Sequence, residues 1–180
     1  QPEDGIPDPL WSRGLGDVYK RQIVSYSANS HSPNIAFASN QSLFKVGVES
    51  SEVSNFNLSR DIFDPQISPN GNLIAYVSEG QLRYVDDKGN DQAVTRTRTG
   101  EKSFGVAEFI AAEEMGRRRG YWWSPNNDKL LVTCVDESDV LSWHILKSSD
   151  PSDAPVVIKY PKAGTKNSNV GLEIYSLVKS

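Results

Sequence analysis

The chain has 180 residues, a net charge of -4, 37% hydrophobic and 23% charged residues, and one cysteine, Cys134. That is the composition of one globular domain or part of a larger one, too apolar for a disordered segment. It excludes an internal disulfide and argues against a nucleic-acid surface, which would be basic. No run reaches the ~18 apolar residues that a membrane-spanning helix requires.

Residues 1–22 show neither strand alternation nor a helical stripe and are rich in Gly and Pro. The stretch from Trp11 to Gln22 resembles translated cDNA-library adapter sequence, so this segment is expected to be non-native and is set aside from the fold. From Ile23 onward, short strands and turns dominate. Ile35–Ala38 and Leu43–Val48 read as strands. Two later stretches echo each other: Pro65-Gln-Ile-Ser-Pro-Asn-Gly-Asn-Leu-Ile-Ala-Tyr-Val77 and Tyr121-Trp-Trp-Ser-Pro-Asn-Asn-Asp-Lys-Leu-Leu-Val-Thr-Cys-Val135. In each, Ser-Pro-Asn follows an apolar strand end and precedes an apolar run. Pro69 and Pro125 preset φ for the first corner of a type I turn; Asn70 and Asn126 tolerate the second. The run after the first turn has Leu73, Ala75 and Val77 on one face and Ile74 and Tyr76 on the other. Both faces are apolar, the pattern of a strand covered on each side. Gln81–Val85 and the turn Asp86-Asp-Lys-Gly-Asn90 continue the same sheet.

The repeat of Ser-Pro-Asn at 68 and 124, with a following run apolar on both faces, predicts an all-β fold, a partial β-propeller of about two to three antiparallel blades. Between the copies the period changes. Val106–Arg119, VAEFIAAEEMGRRR, is rich in helix formers, with Gly116 and Gly120 as stops. A short helical insertion is expected there, carrying Glu113 and Glu114 side by side. Adjacent carboxylates repel unless a cation is near. A peptide α-ammonium suits them, with one positive charge and three N–H donors. The other reading of the same spacing is a solvated helix face, its Glu residues paired with Arg117, Arg118 and Arg119.

The segment Glu108-Phe-Ile-Ala-Ala-Glu-Glu-Met-Gly-Arg-Arg-Arg-Gly-Tyr-Trp-Trp-Ser-Pro125 resembles the double-glutamate segment of the dipeptidyl peptidase IV family. Val135-Asp-Glu-Ser-Asp-Val140 resembles a strand exit of that family. Tyr160-Pro-Lys-Ala-Gly-Thr165, with Asn167, resembles one of its loops. The likeness runs from about Asp61 to Val178 and is weak between Ile23 and Arg60. It implies that residues 23–180 are part of the N-terminal β-propeller of a serine exopeptidase. Such an enzyme releases N-terminal dipeptides, Xaa-Pro or Xaa-Ala. Glu113 and Glu114 would bind the substrate amine, and Arg117 would support them. The resemblance implies as partners a peptide with a free N-terminus, an α/β-hydrolase domain of the same chain and a second subunit in a homodimer. It implies no cofactor and no metal. Arg60 lies near the region where the family has a carbonyl-binding arginine, but its spacing does not fit. A periplasmic or secreted location is favoured slightly over a cytoplasmic one.

The sequence holds no G-x-S-x-G nucleophile elbow, so the catalytic triad is expected outside this segment. His31 and His144 have no metal-ligand spacing. Trp122 and Trp123 are expected in the blade core, and Asp136 and Glu137 in internal hydrogen bonds. Two alternatives remain open on the sequence: a relative that has lost the serine, and a scaffold propeller that binds proteins.

Overall fold

The computed structural model describes residues 23, 26–29, 31–39, 41–96, 100–146 and 154–177. The segment 1–22 lies outside them. Among the described residues the chain is mostly β, with antiparallel sheets and one short helix. The first sheet is a meander of β1 (Tyr26–Asn29), β2 (Ser32–Ser39), β3 (Ser42–Gly47) and β4 (Val53–Asn57). The second repeats that order with β5 (Phe63–Ile67), β6 (Leu73–Ser78), β7 (Gln81–Asp86) and β8 (Asp91–Ala93). The third runs β10-β9-β11-β14, from β9 (Lys102–Val106), β10 (Arg119–Trp123), β11 (Lys129–Asp136) and β14 (Asn169–Ser176). A separate hairpin pairs β12 (Ser142–Ile145) with β13 (Val156–Lys159).

Both Ser-Pro-Asn segments close hairpins by the same chemistry. The Gly71 N–H donates to the Ser68 carbonyl at 2.8 Å and the Asn127 N–H to the Ser124 carbonyl at 3.1 Å. Gly71 and Asn127 sit at positive φ, 78° and 62°, a region Gly and Asn enter at low cost. The serine oxygens of both turns accept the backbone N–H of the next strand, from Leu73 at 3.0 Å and from Lys129 at 3.1 Å. The two turns touch: the Asn70 N–H donates to the Asn127 side-chain oxygen at 2.8 Å.

Strand β6 is buried on both faces, as its sequence requires. Ala75 and Val77 pack with Leu82, Phe104, Tyr121, Leu130 and Val132 of the second and third sheets. Ile74 and Tyr76 pack with Ala36, Leu43, Ile67 and Val85, joining it to the first sheet. Full burial of an aliphatic side chain contributes roughly 1.5–3 kcal/mol, so these two interfaces supply most of the cohesion between sheets. The Tyr76 hydroxyl donates to Asp91 at 2.7 Å, and Arg83 forks onto the same carboxylate. Burial, then Asp91, pushes the Tyr76 phenol well above its ordinary range. Arg60 joins this cluster, 3.7 Å from Asp91.

Two sequence expectations need correcting. Trp122 is not in the core: it is 38% exposed. Alternation sends Tyr121 and Trp123 toward the second sheet, where the Trp123 indole N–H donates to the Gln66 carbonyl at 3.1 Å, and turns Trp122 to the opposite face. Gly120 does not end a helix. It lies in β10, where its Cα faces the backbone of Val106 so closely that no side chain fits.

Asp136, at the end of β11, is held by Ser138 and by Lys102, whose Nζ is 3.1 Å away. The Ser138 hydrogen bonds, then Lys102, pull its carboxyl down to about 2. Its folded value lies below the unfolded value of about 3.9. Its stabilising contribution is therefore complete above that value and fades as the pH falls toward 2. A carboxyl-carbon NMR titration should find Asp136 titrating well below the ordinary aspartate value of about 3.9. A midpoint near 4 would contradict the contact set.

Candidate functional site

The segment between β9 and β10 is a closed loop with a narrow neck. Arg119 pairs with Val106 and Gly120 with Gly105 in the sheet, and the Ala107 N–H donates to the Arg118 carbonyl at 3.1 Å. Inside the loop, helix α1 (Phe109–Glu113) forms a single turn. Glu108 caps it in an extended conformation, its carboxylate accepting the N–H groups of Ile110 and Ala111. That supplies partners for otherwise orphaned helix donors. Glu114 closes the other end with its N–H on the Ile110 carbonyl at 2.8 Å. Gly116 then turns the chain at φ 62°.

A helix this short does not hold itself together. The Arg117 N–H donates to the Ala111 carbonyl at 3.0 Å, which ties the loop exit back onto α1. Ala111 is buried beneath the loop. Phe109 packs edge-on against Tyr160, with ring centroids 5.3 Å apart, and Tyr160 packs edge-on against Trp143 of β12 at 6.0 Å. The Tyr160 loop, which the sequence marks only by its resemblance to a loop of the family, thus supports the start of α1.

Glu113 is the last helical residue and Glu114 the cap residue; both are exposed. The last turn of α1 carries no basic residue. Among the described residues, neither carboxylate has an ion-pair or hydrogen-bond partner. The arginines that follow are placed elsewhere. The Arg117 guanidinium donates to the Arg119 carbonyl at 2.9 Å. Arg119 forks onto Asp64 of β5, at 2.9 and 3.1 Å. Arg118 and Arg119 line a cleft of about 310 Å³ with Ala38, Ile62, Phe63, Asp64 and Pro65. Among the described residues, none of the Glu–Arg pairs that spacing alone allows is formed. What remains is two adjacent exposed carboxylates at the C-terminal end of a helical turn, with no cation paired to either among the described residues.

A family model described as dipeptidyl peptidase IV (DPP IV) N-terminal region matches residues 20–180. The chain belongs to this family. Its match includes residues 23–60, where the sequence likeness is weak and none of the quoted motifs lies. Dipeptidyl aminopeptidase B of Saccharomyces cerevisiae is 32% identical over 117 residues, 61% of this chain and 14% of that protein. Venom dipeptidyl peptidase 4 of Apis mellifera is 29% identical over 121 residues, 61% of this chain and 16% of that protein. The chain thus spans about one-seventh of the length of the curated relatives it matches. The crystal structure of Porphyromonas gingivalis dipeptidyl peptidase 4 superposes with a TM-score of 0.71 at 24% identity, covering 86% of this chain and 24% of that one. That likeness gives the fold: antiparallel four-stranded sheets in the same arrangement.

Within this DPP IV N-terminal region, the Asp64–Arg119 contact is not visible in the sequence, because its partners lie 55 positions apart. The Phe109–Tyr160–Trp143 cluster was equally hidden. His31 and His144 are not brought into any metal-binding group among the described residues.

Proposed function

We propose that this chain is part of the β-propeller of a serine exopeptidase that removes N-terminal dipeptides, and that Glu113 and Glu114 bind the α-ammonium of the substrate. The observation that carries this reading is the uncompensated pair itself. Two adjacent exposed carboxylates sit at the end of α1, while Arg117 and Arg119 hydrogen-bond to other groups. Such a pair gains most from a cation supplied from outside, and an α-ammonium offers one charge and three donors. Membership of the family supports the same assignment. The three successive four-stranded sheets, with β6 buried between its neighbours, support the reading as stacked propeller blades.

In this scheme the pair works at a distance from the chemistry. Binding energy gained at the amine positions the scissile bond against a nucleophile that an α/β-hydrolase domain of the full-length protein supplies. Arg117 shapes the loop exit through the Arg119 carbonyl rather than by touching substrate. A free N-terminus is the recognition element, and its fixed distance from the nucleophile sets the length of the released piece. The test is hydrolysis of Gly-Pro p-nitroanilide by the full-length protein, before and after Glu113 and Glu114 are replaced by Gln.

A further inference from the structure

We propose that Asp64 and Arg119 are positioning residues for the Glu113–Glu114 pair, clamping the neck of its loop to the neighbouring sheet; the inference rests on the amine-binding reading of that pair. Arg119 is the first residue of β10, at the base of the loop, and Asp64 belongs to β5 of the second sheet. Their contact is bidentate, Nε at 2.9 Å and Nη2 at 3.1 Å from the two carboxylate oxygens. This geometry fixes orientation as well as distance. The Asp64 side chain is only 14% exposed. Gln66 donates to it at 2.6 Å, and the Tyr121 hydroxyl contacts its carbonyl.

The backbone is shaped to deliver this contact. The β5–β6 register shifts between Phe63 and Gln66, and Asp64 stands there at φ 45°. A non-glycine residue in the left-handed region costs energy and persists where the surroundings demand it. The bulge turns the Asp64 carboxylate to the neck, beside the arginines, and its chief partner is Arg119. Without this clamp the loop hangs on the β9–β10 neck and the aromatic contact at Phe109. A small rotation at the neck is amplified at Glu113 and Glu114, and ångström-scale misplacement of an anchor lowers rate strongly.

The test uses the full-length protein and Gly-Pro p-nitroanilide. Arg119→Ala should lower kcat/KM about tenfold, mostly through KM, and Asp64→Asn, which keeps the shape and the Gln66 contact, should act in the same direction. Arg119→Lys should restore part of the loss. In a Glu113→Gln/Glu114→Gln background, Arg119→Ala should have no further effect, because the clamp acts only through the pair. Equal losses in both backgrounds would overturn the proposal, since a general structural defect adds to any other lesion. Unchanged kinetics for Arg119→Ala and Asp64→Asn, with the glutamine pair inactive, would also overturn it and leave the amine site standing. If the glutamine pair itself retained full kcat/KM, the amine reading would fall and this inference with it. Should Arg119→Ala fail to fold, Asp64→Asn and Arg119→Lys decide the matter alone.

Discussion

Replacing Glu113 and Glu114 together by Gln in the full-length protein is expected to lower kcat/KM for Gly-Pro p-nitroanilide by roughly two to four orders of magnitude. A hydrogen bond to a charged group is worth about 1.5–3 kcal/mol, and each 1.4 kcal/mol is about tenfold. Two such contacts to one ammonium give that range. Stability should move the other way. Both carboxylates are exposed and unpaired among the described residues, at the negative end of α1. Neutralising them removes repulsion and an unfavourable interaction with the helix end. The melting temperature should stay level or rise slightly while activity collapses. Groups retained against stability in this way are expected at functional sites. A variant that loses stability along with activity would instead make the pair structural.

The second large effect is on folding. Gly120→Ala should cost at least about 3 kcal/mol in urea denaturation, the upper range for overpacking a filled site. A Cβ at this position would lie 2.3 Å from the Thr133 hydroxyl and 2.5 Å from both N and O of Val106. Two of those atoms are backbone, in the pairing that closes the loop neck, so neither can rotate away. The Thr133 hydroxyl lies between the carbonyls of Val106 at 2.7 Å and Gly120 at 3.0 Å, so the same substitution would also displace a buried polar contact. A change below about 1 kcal/mol would show that β9 and β10 approach less closely than described.

How much of this was readable from the chain follows from the range of each interaction. The Ser-Pro-Asn turns were legible because Pro69, Asn70, Gly71 and their counterparts act within a few residues. The double burial of β6 was legible because a strand with two apolar faces has few other uses. The helical insertion was legible in type, though α1 is shorter than the helix-forming composition of 106–119 suggests; the chain leaves the helix at Glu114 to return to the sheet. Gly120 was misread because a glycine after a helical run resembles a stop, whereas its cause is the approach of Val106. Trp122 and Trp123 look alike in sequence, and only the packing of the third sheet on the second tells which one faces inward. The β12–β13 hairpin lacks the short Ser-Pro-Asn signal: a longer stretch rich in Ser, Asp and Pro, 146–155, separates its strands. For the Glu pair, spacing alone favoured a solvated face, and the resemblance pointed to an amine site. In the fold, the Arg117 and Arg119 guanidiniums hydrogen-bond to groups other than the pair.

The most direct test of the amine site compares two substrates with the full-length protein, Gly-Pro p-nitroanilide and its N-acetylated form. The account predicts efficient cleavage of the first and almost none of the second, because acetylation removes the charge and two of the donors that Glu113 and Glu114 would receive. Comparable cleavage of both, or cleavage of neither, would contradict it.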